Sequence, residues 1–481
     1  QSLAEREKEA RFSMLEKLAD YDDELMEQLL GDVEPPRDRI FVDLAKELRD
    51  GLICPVFIGS AENGNGMLRL MKALRHEAPT VADTAKRLGI NGAKSAALVV
   101  KTVHTQHGGK LSVGRVLAGE MSEGQTVHGQ AGEDRIGGVL TLRGQEASKR
   151  GPAKAGETAA FAKLEHIKTG ETIAADASLK QAVAVPAAPS PVYGFAIAVK
   201  EKKDEVKLTA ALHKIIDEDP SLTLAHDPDH GGLVLWGQGE MHLRVALEKL
   251  ARKYGVEALS RKPDVPYKET IRKSATVRGR HKKQSGGHGQ FGDVVLEIKP
   301  LPRGKGFEFS DTVTGGVVPK QYIPSVEIGV KDYLHKGPLG FPVVDVAVTL
   351  KEGSYHTVDS SDMAFRQAGR LGMSEGMPQC QPVLLEPVMS VEIAVPSDST
   401  ARINAIVSQR RGQILGFDAR EGWPGWDVVQ AKIPEAEMQN LIVEVRSATQ
   451  GVGTFTSRFD HLSEVTGKLA EQVLSGQHAA E

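Results

Sequence analysis

The sequence predicts a multidomain α+β protein in which one small βαββαβ sandwich occurs twice and brackets a β-rich α+β domain. Three observations carry this. The length of 481 residues suits about three to five domains. The apolar period switches from helical near the N-terminus to two-residue alternation after about residue 93. The order strand, helix, strand, strand, helix, strand is readable at 192–260 and again at 388–461.

Taken in order, residues 2–30 read as helix, with Leu15, Leu18, Leu25, Met26, Leu29 and Leu30 on one stripe until Gly31 and Pro35-Pro36. A second helix is expected from Asp38 to Arg49, ending at Gly51. The run Ile53–Ile58 reads as a strand running into Gly59-Ser60-Ala61, followed by a helix from about Gly66 to His76. Strand, small-residue turn and helix form the close of an α/β layer. Short β runs at Ala96–Val103, Gly114–Leu117, Thr126–His128, Gly138–Leu142 and Thr158–Phe161 argue for a small antiparallel barrel or sandwich. An Ala/Pro/Val-rich linker is expected over 178–191. Between the two βαββαβ units the chain opens with β segments and closes with a helix at 361–374.

Composition removes several classes. Sixty Lys+Arg against sixty-four Asp+Glu give a net charge of −4, which argues against a polybasic nucleic-acid tail but leaves room for local basic patches. No run approaches 18 apolar residues, so no helical membrane span is expected. Two cysteines, Cys54 and Cys380, exclude a disulfide scaffold and a Cys-rich zinc site, and fit a reducing, cytoplasmic setting. Aromatic residues are only 5%, which argues against an extended stacking platform. The chain starts at Gln1 without a signal-type segment and reads as a portion of something longer.

The most informative stretch is Arg272–Gly292. Arg272, Lys273, Arg278, Arg280, Lys282 and Lys283 occur without an acid and lead into Gln284-Ser285-Gly286-Gly287-His288-Gly289-Gln290-Phe291-Gly292. Glycines let a backbone approach phosphate closely and the cations supply attraction, so the run reads as an RNA-contacting loop or as a solvated hairpin. A second loop, Gly353–Asp362, carries Tyr355, His356 and Asp359, with Ser360 or Ser361 placed to cap the following helix. His226, Asp227, Asp229 and His230 read as turn chemistry, and His242 as a packed or capping histidine. Arg410-Arg411-Gly412 suits a helix end, with an RNA phosphate contact as the alternative. No G-x-x-x-x-G-K-[ST], G-x-S-x-G or H-E-x-x-H run is present, so no catalytic residue and no metal ligand is expected.

Several separated motifs agree on one family. Pro55–Ala61, the run Arg278–Gly292, Gly237–Leu243, Gly315-Gly316-Val317-Val318-Pro319, Gly353–Asp362 and Pro382–Pro387 together resemble bacterial translation elongation factor G, in collinear order over the whole chain. The resemblance implies the tail of an α/β GTPase domain at 1–88, a β-barrel at 89–177, the linker at 178–191, a ferredoxin-like third domain at 192–267, an elongated fourth domain at 268–385 and a ferredoxin-like fifth at 386–481. It implies that Gly59, Ser60 and Ala61 touch guanine, with the phosphate loop and magnesium ligands upstream of Gln1. GTP and Mg2+ are then cofactors of the intact protein, and no cofactor is expected in these residues alone. It further implies that Gln284, Ser285, Gly286, Gly287 and His356 contact tRNA or decoding-centre RNA; Lys282, Lys283, His288 and Tyr355 lie in the same two loops and join the candidate set, with Arg410 and Arg411 kept as the alternative phosphate contacts noted above.

The activity implied is GTP-driven translocation of tRNA and mRNA on the ribosome, or recycling of the ribosome, by a monomeric cytoplasmic factor. Departures such as His288 for Arg, Phe291 for Tyr, Thr357 for Asp and Val452 for Arg mark an elongation factor G-like paralogue. A ribosome-binding protein without motor function, of the protection or regulatory kind, is the alternative. The elongation-like Gln284–Gly287 and Ser354-Tyr355-His356 favour the translocation side.

Overall fold

A computed structural model describes residues 2–105, 109–144, 146–179, 183–285 and 288–478. It divides into two compact units, Gln1–Ala187 and Ala188–Glu481.

The first unit begins with α1 (Leu3–Ala19), α2 (Asp23–Leu30), α3 (Arg37–Asp50), α4 (Met67–Glu77) and α5 (Val81–Arg87). The single helix expected over 2–30 is therefore two. Asp22 leaves helical geometry (φ −139°, ψ 102°), and its carboxylate accepts the Leu25 N–H at 2.9 Å, capping α2. Leu15, Leu18, Leu25, Ile40 and Leu44 gather in one apolar cluster that holds α1, α2 and α3 together. The strand expected at Ile53–Ile58 does not form. Val56 is 83% and Ile58 92% exposed, and a strand needs a neighbour to accept its backbone ladder. The short α5 is an addition to the expected elements. Thr80 and Asp83 open it with a reciprocal capping box.

The nine strands that follow are β1 (Ser95–His104), β2 (Lys110–Met121), β3 (Thr126–His128), β4 (Glu133–Arg135), β5 (Gly138–Arg143), β6 (Glu146–Lys149), β7 (Ala153–Lys154), β8 (Thr158–Ala162) and β9 (Thr172–Ala174). They make one sheet in the order β4-β3-β9-β1-β2-β8-β5-β6, with β7 on β2. Ala97, Val99, Val116, Met121, Val127, Val139, Phe161 and Ile173 meet in a single core. One sheet curled round one core is barrel-like rather than a two-sheet sandwich.

In the second unit β10 (Tyr193–Val199), α6 (Glu205–Glu218), β11 (Thr223–Asp227), β12 (Gly232–Gly237), α7 (Glu240–Tyr254) and β13 (Ala258–Arg261) give the antiparallel order β11-β12-β10-β13, the ferredoxin-like arrangement. Next come β14 (Lys268–Ile271), β15 (Ala275–Ser285), β16 (His288–Pro300), β17 (Phe307–Asp311), α8 (Ile323–Leu334), β18 (Val346–Ser354) and α9 (Asp362–Gly376). The chain ends with β19 (Pro382–Pro396), α10 (Thr400–Gln409), β20 (Gln413–Ala419), β21 (Trp426–Pro434), α11 (Leu441–Ala448), β22 (Thr454–Val465) and α12 (Lys468–His478). Strands β22-β19-β21-β20 repeat the ferredoxin-like order. Helices α8 and α12 are not among the expected elements. The helix expected at 435–449 is a 3-10 turn at 435–437 followed by the shorter α11.

The two ferredoxin-like sheets share one core, with Phe195, Leu212 and Leu235 from the first joining Ile393, Val429 and Phe455 from the second. A polar clasp spans the same boundary. His230 contacts Asp227 through Nδ1 and Glu435 through Nε2, each at 2.7 Å. The Glu435 hydrogen bond leads in raising the His230 pKa to about 9. The Asp227–His230 segment is thus turn chemistry, as its residue types suggest, with Asp227 also accepting the Asp229 N–H.

Strand β14 leaves the middle segment to pair with the start of β19, and the sequence boundary at 385/386 falls inside β19. Here Glu269 is 0% exposed on β14. Its Oε2 accepts the Leu339 N–H at 2.7 Å, and its Oε1 has no partner among the described residues. Burial pushes its pKa up to about 8 from an ordinary 4.5. The folded state therefore keeps a proton that the unfolded chain has lost. Stability falls as pH rises from about 4.5 to about 8 and then levels off. Glu269→Gln is expected to abolish that decline and to stabilise the protein at pH 9 by on the order of 4 kcal/mol relative to its effect at pH 4. Urea unfolding of both proteins at several pH values checks it; parallel pH profiles would refute it.

Candidate nucleic-acid interface

The basic run folds as a long ribbon. Strands β15 and β16 pair from Ala275↔Ile298 out to Ser285↔His288. Strand β18 supports β16 only as far as Asp293↔Ser354. The ribbon therefore continues past the four-stranded sheet β15-β16-β18-β17 as a two-stranded projection. Gly286 and Gly287 lie outside the described residues, as do the side chains of Gln284, Ser285 and His288; the backbones of these three belong to the paired strands.

Beside the projection lies the loop joining β18 to α9. The Phe291 N–H donates to the Asp359 carbonyl at 2.8 Å, and Ser360 Oγ donates to the Phe291 carbonyl at 2.8 Å. A side chain at Gly289 would meet the Asp359 carboxylate at about 2.5 Å, so the glycine makes this approach possible. Ser361, of the two capping candidates, is the one that caps α9, accepting the Ala364 N–H. The ribbon and the loop thus form one surface.

Exposed His356 is held by its neighbours. Its own backbone N–H donates to Ser360 Oγ at 2.9 Å, and its Nδ1 receives the Asp359 N–H at 3.1 Å. A ring nitrogen that accepts a backbone N–H leaves the other, Nε2, to carry the proton. Asp359 Oδ2 lies 3.3 Å from the same Nδ1, and the backbone donation argues against reading that approach as an ion pair. His356 therefore offers a donor to a phosphate or ribose oxygen, not the geometry of a general base. Its ring meets Phe291 edge-on at 6.4 Å, and the Arg280 guanidinium lies over the same phenyl ring, 5.5 Å from its centroid. Tyr355 is exposed next to it.

The cations divide by partner. Arg278 is paired with buried Asp293, whose Oδ2 also accepts Ser354 Oγ at 2.7 Å. Burial alone would raise the Asp293 pKa, but the Arg278 and Ser354 hydrogen bonds hold it below the usual carboxylate range. Lys282 and Lys283 are exposed and have no ion-pair partner among the described residues. Arg410 and Arg411 differ from the reading that put them on RNA. Arg410 is 12% exposed at its side chain and donates to Glu444 and to the Glu437 carbonyl. Arg411 grips Glu386 through two bonds of 2.7 and 2.9 Å and also reaches Glu437. Both guanidinium groups are thus engaged by carboxylates of the C-terminal sandwich, Arg410 largely covered and Arg411 still exposed, so any RNA contact from Arg411 would have to compete with its ion pairs.

In the other unit, Gly59-Ser60-Ala61 forms a tight turn closed on itself. The Ser60 N–H donates to the Asn65 carbonyl at 2.9 Å, and Ser60 Oγ receives the Asn63 N–H at 3.3 Å. No cluster of three His, Cys, Asp or Glu suited to a metal occurs among the described residues. No helix among the described residues is long and apolar enough to cross a membrane.

Comparison with known proteins agrees with this architecture. Family models for elongation factor G match in three adjoining blocks: domain III at residues 188–262, domain IV at 263–381 and the C-terminus at 383–473. An elongation factor G-like protein of Synechocystis is 52% identical over 471 residues, covering 97% of this chain and 69% of that protein. Elongation factor G of Aquifex pyrophilus is 37% identical over 494 residues, covering 99% of this chain and 70% of that one. A crystal structure of a Thermus thermophilus protein superposes with a TM-score of 0.76 at 34% identity, covering all of this chain and 72% of the other. The chain belongs to the elongation factor G family, and its role is of the translation-factor kind.

The residue that sequence reasoning passed over is Gly279. A side chain there would fall 2.2 Å from the Ala368 carbonyl and 2.4 Å from the Gly372 nitrogen, both backbone atoms of α9. Gly279→Ala is expected to cost about 3 kcal/mol of stability, since neither backbone can yield cheaply. Chemical denaturation measures the loss, and an unchanged midpoint would show that α9 can move away.

Proposed function

We propose that the surface formed by the β15–β16 ribbon and the 355–361 loop contacts ribosome-bound RNA, and that the intact protein uses it to promote GTP-dependent movement of tRNA and mRNA. The single observation that carries the reading is the hydrogen-bonded union of the ribbon with the His356 loop, which brings Lys282, Lys283, Tyr355 and His356 to one projecting end. Lysines attract phosphate without reading sequence, and the His356 ring N–H adds a directed donor. Gln284, Ser285, Gly286, Gly287 and His288 complete the proposed contact set at the ribbon's end. GTP hydrolysis with Mg2+ belongs to the intact protein in this reading, with Gly59, Ser60 and Ala61 touching the guanine base. The ribosome, with its RNA and the ribosomal proteins near the GTPase-activating region, is the partner, and the protein acts as a cytoplasmic monomer. Family membership and the retained elongation-type loops support translocation over protection or regulation without movement; recycling is the other motor role compatible with them.

Two measurements test this. In single-round translocation by the intact protein with GTP, His356→Ala is expected to slow the step about tenfold or more, equivalent to ~1.4 kcal/mol of barrier. Ribosome-stimulated hydrolysis without any translocation by the parent protein would move the assignment to recycling or protection. For ribosome binding, Lys282→Ala with Lys283→Ala should lower the slope of log affinity against log salt by roughly 1.5, about 0.7 to 0.9 per lost phosphate contact. An unchanged slope would remove the two lysines from the interface.

A further inference from the structure

Far from the ribbon in sequence, the β20–β21 hairpin carries two of the three tryptophans of the chain. Its tip, Ala419–Trp426, is built from two successive reversals. The Trp423 N–H donates to the Arg420 carbonyl at 3.1 Å with Gly422 at φ 70°, and the Trp426 N–H donates to the Trp423 carbonyl at 3.1 Å with Pro424 second and Gly425 at φ 78°. Proline at the second position and a positive-φ glycine at the third define a type II turn, a stiff connection. The tip is pinned from outside by Ser397, whose N–H donates to the Gly425 carbonyl at 2.9 Å, and Asp427 receives the Ser397 and Thr400 hydroxyls at 2.8 and 2.7 Å.

This rigid frame displays aromatic surface. Trp423 is 48% exposed, with Trp426 edge-on at 5.2 Å and the Arg420 guanidinium 3.9 Å over one face. Strand β20 is the end strand of its sheet, paired on one side by β21, and it exposes Leu415 and Phe417. An uncovered edge with apolar side chains is a template for an added strand. The surrounding charge is acidic: Asp418, Glu421 and Asp398 are exposed, against Arg420 on the tryptophan and Arg402, which donates to Ser399 Oγ. By pairing parity Asp418, opposite Val428, shares a face with Trp426, whereas Phe417, opposite Val429, points to the other face.

We infer that the β20 edge and the Trp423 tip form a docking site for an extended, lysine- or arginine-bearing segment of a protein partner. The segment adds antiparallel or parallel to β20, laying apolar residues beside Leu415 and Phe417. Its alternate basic residues meet Asp418 and Glu421 and the free aromatic surface of Trp423. Single-stranded RNA also stacks on tryptophan, but the carboxylates around this tip repel phosphate, so charge selects the basic polypeptide.

The test is a titration of the full chain with an end-capped decapeptide of alternating lysine and valine, and in parallel with deca-adenylate, read by calorimetry and tryptophan fluorescence. The expected result is peptide binding that weakens about fivefold or more in Trp423→Ala, the scale of a cation–π contact. The double charge reversal Asp418→Lys with Glu421→Lys should remove it. All three positions are exposed, and thermal melts confirm that the variants fold. Absence of peptide binding, or affinity indifferent to both variants, overturns the inference. Binding of the oligonucleotide that is lost in Trp423→Ala, with the peptide unaffected, also overturns it and gives the tip to RNA.

Discussion

The candidate RNA surface depends on one steric constraint, the contact of α9 with its neighbours backbone against backbone. On one side, Gly279 and Gly292 of the ribbon lie against the α9 carbonyls of Ala368 and Ala364, where a side chain would come within 2.2 and 2.6 Å. On the other, Gly329 of α8 meets the Arg366 carbonyl and Gly369 of α9 meets that of Val326, at 2.0 and 2.7 Å by the same measure. Each glycine inside a helix costs about 1 kcal/mol of helix propensity. That cost is offset by an approach no other residue permits, and it fixes the start of α9. The His356 loop runs directly into that start, so the loop takes its position from the same packing.

Electrostatics then sorts the cations that the sequence presents as equivalent. Arg278, Arg410 and Arg411 are neutralised by Asp293, Glu444 and Glu386, and they stabilise the domains that hold them. Lys282 and Lys283 keep their charge available at the ribbon's end. A chain of net charge −4 can therefore present a local cationic end without a basic tail.

Much of this architecture was legible in residue order. The βαββαβ repeat, the hairpin alternative for the basic run, the loop at 353–362 and the helix expected at 361–374, which forms at Asp362–Gly376, follow from periodicity and turn residues. What was hidden depended on distant partners or on short-range competition. Asp22 interrupts an apolar stripe that looks continuous, because capping by a side-chain carboxylate competes with the helix. The Thr80–Asp83 box was there to be read, but a seven-residue helix gives too few turns for a period. Ile53–Ile58 has the composition of a strand, and composition cannot supply the neighbouring ladder. The ion pairs of Arg410-Arg411 could not be read from the sequence, because the glutamates they bind, Glu386, Glu437 and Glu444, lie 25 to 34 residues away. Glu269 offered no signal at all, since a glutamate in a short strand counts as surface in any pattern.

The shared core of the two ferredoxin-like sheets gives the ribbon a mechanical context. Strand β14 precedes the ribbon and β19 follows α9, and these two strands pair with each other at the base of the middle segment. Both ends of that segment are thus anchored in one hydrogen-bonded ladder, and β19 continues into the core it shares with β10 and β12. A projection rooted at both ends by a sheet resists bending better than one carried on a single linker. Rigidity of this kind lowers the ordering entropy lost when the ribbon's end meets a surface, which favours contacts that recognise shape and backbone over contacts that must mould to sequence. The buried, half-satisfied Glu269 lies in the same ladder, next to the Leu339 loop, so the anchor contains its own electrostatic weakness.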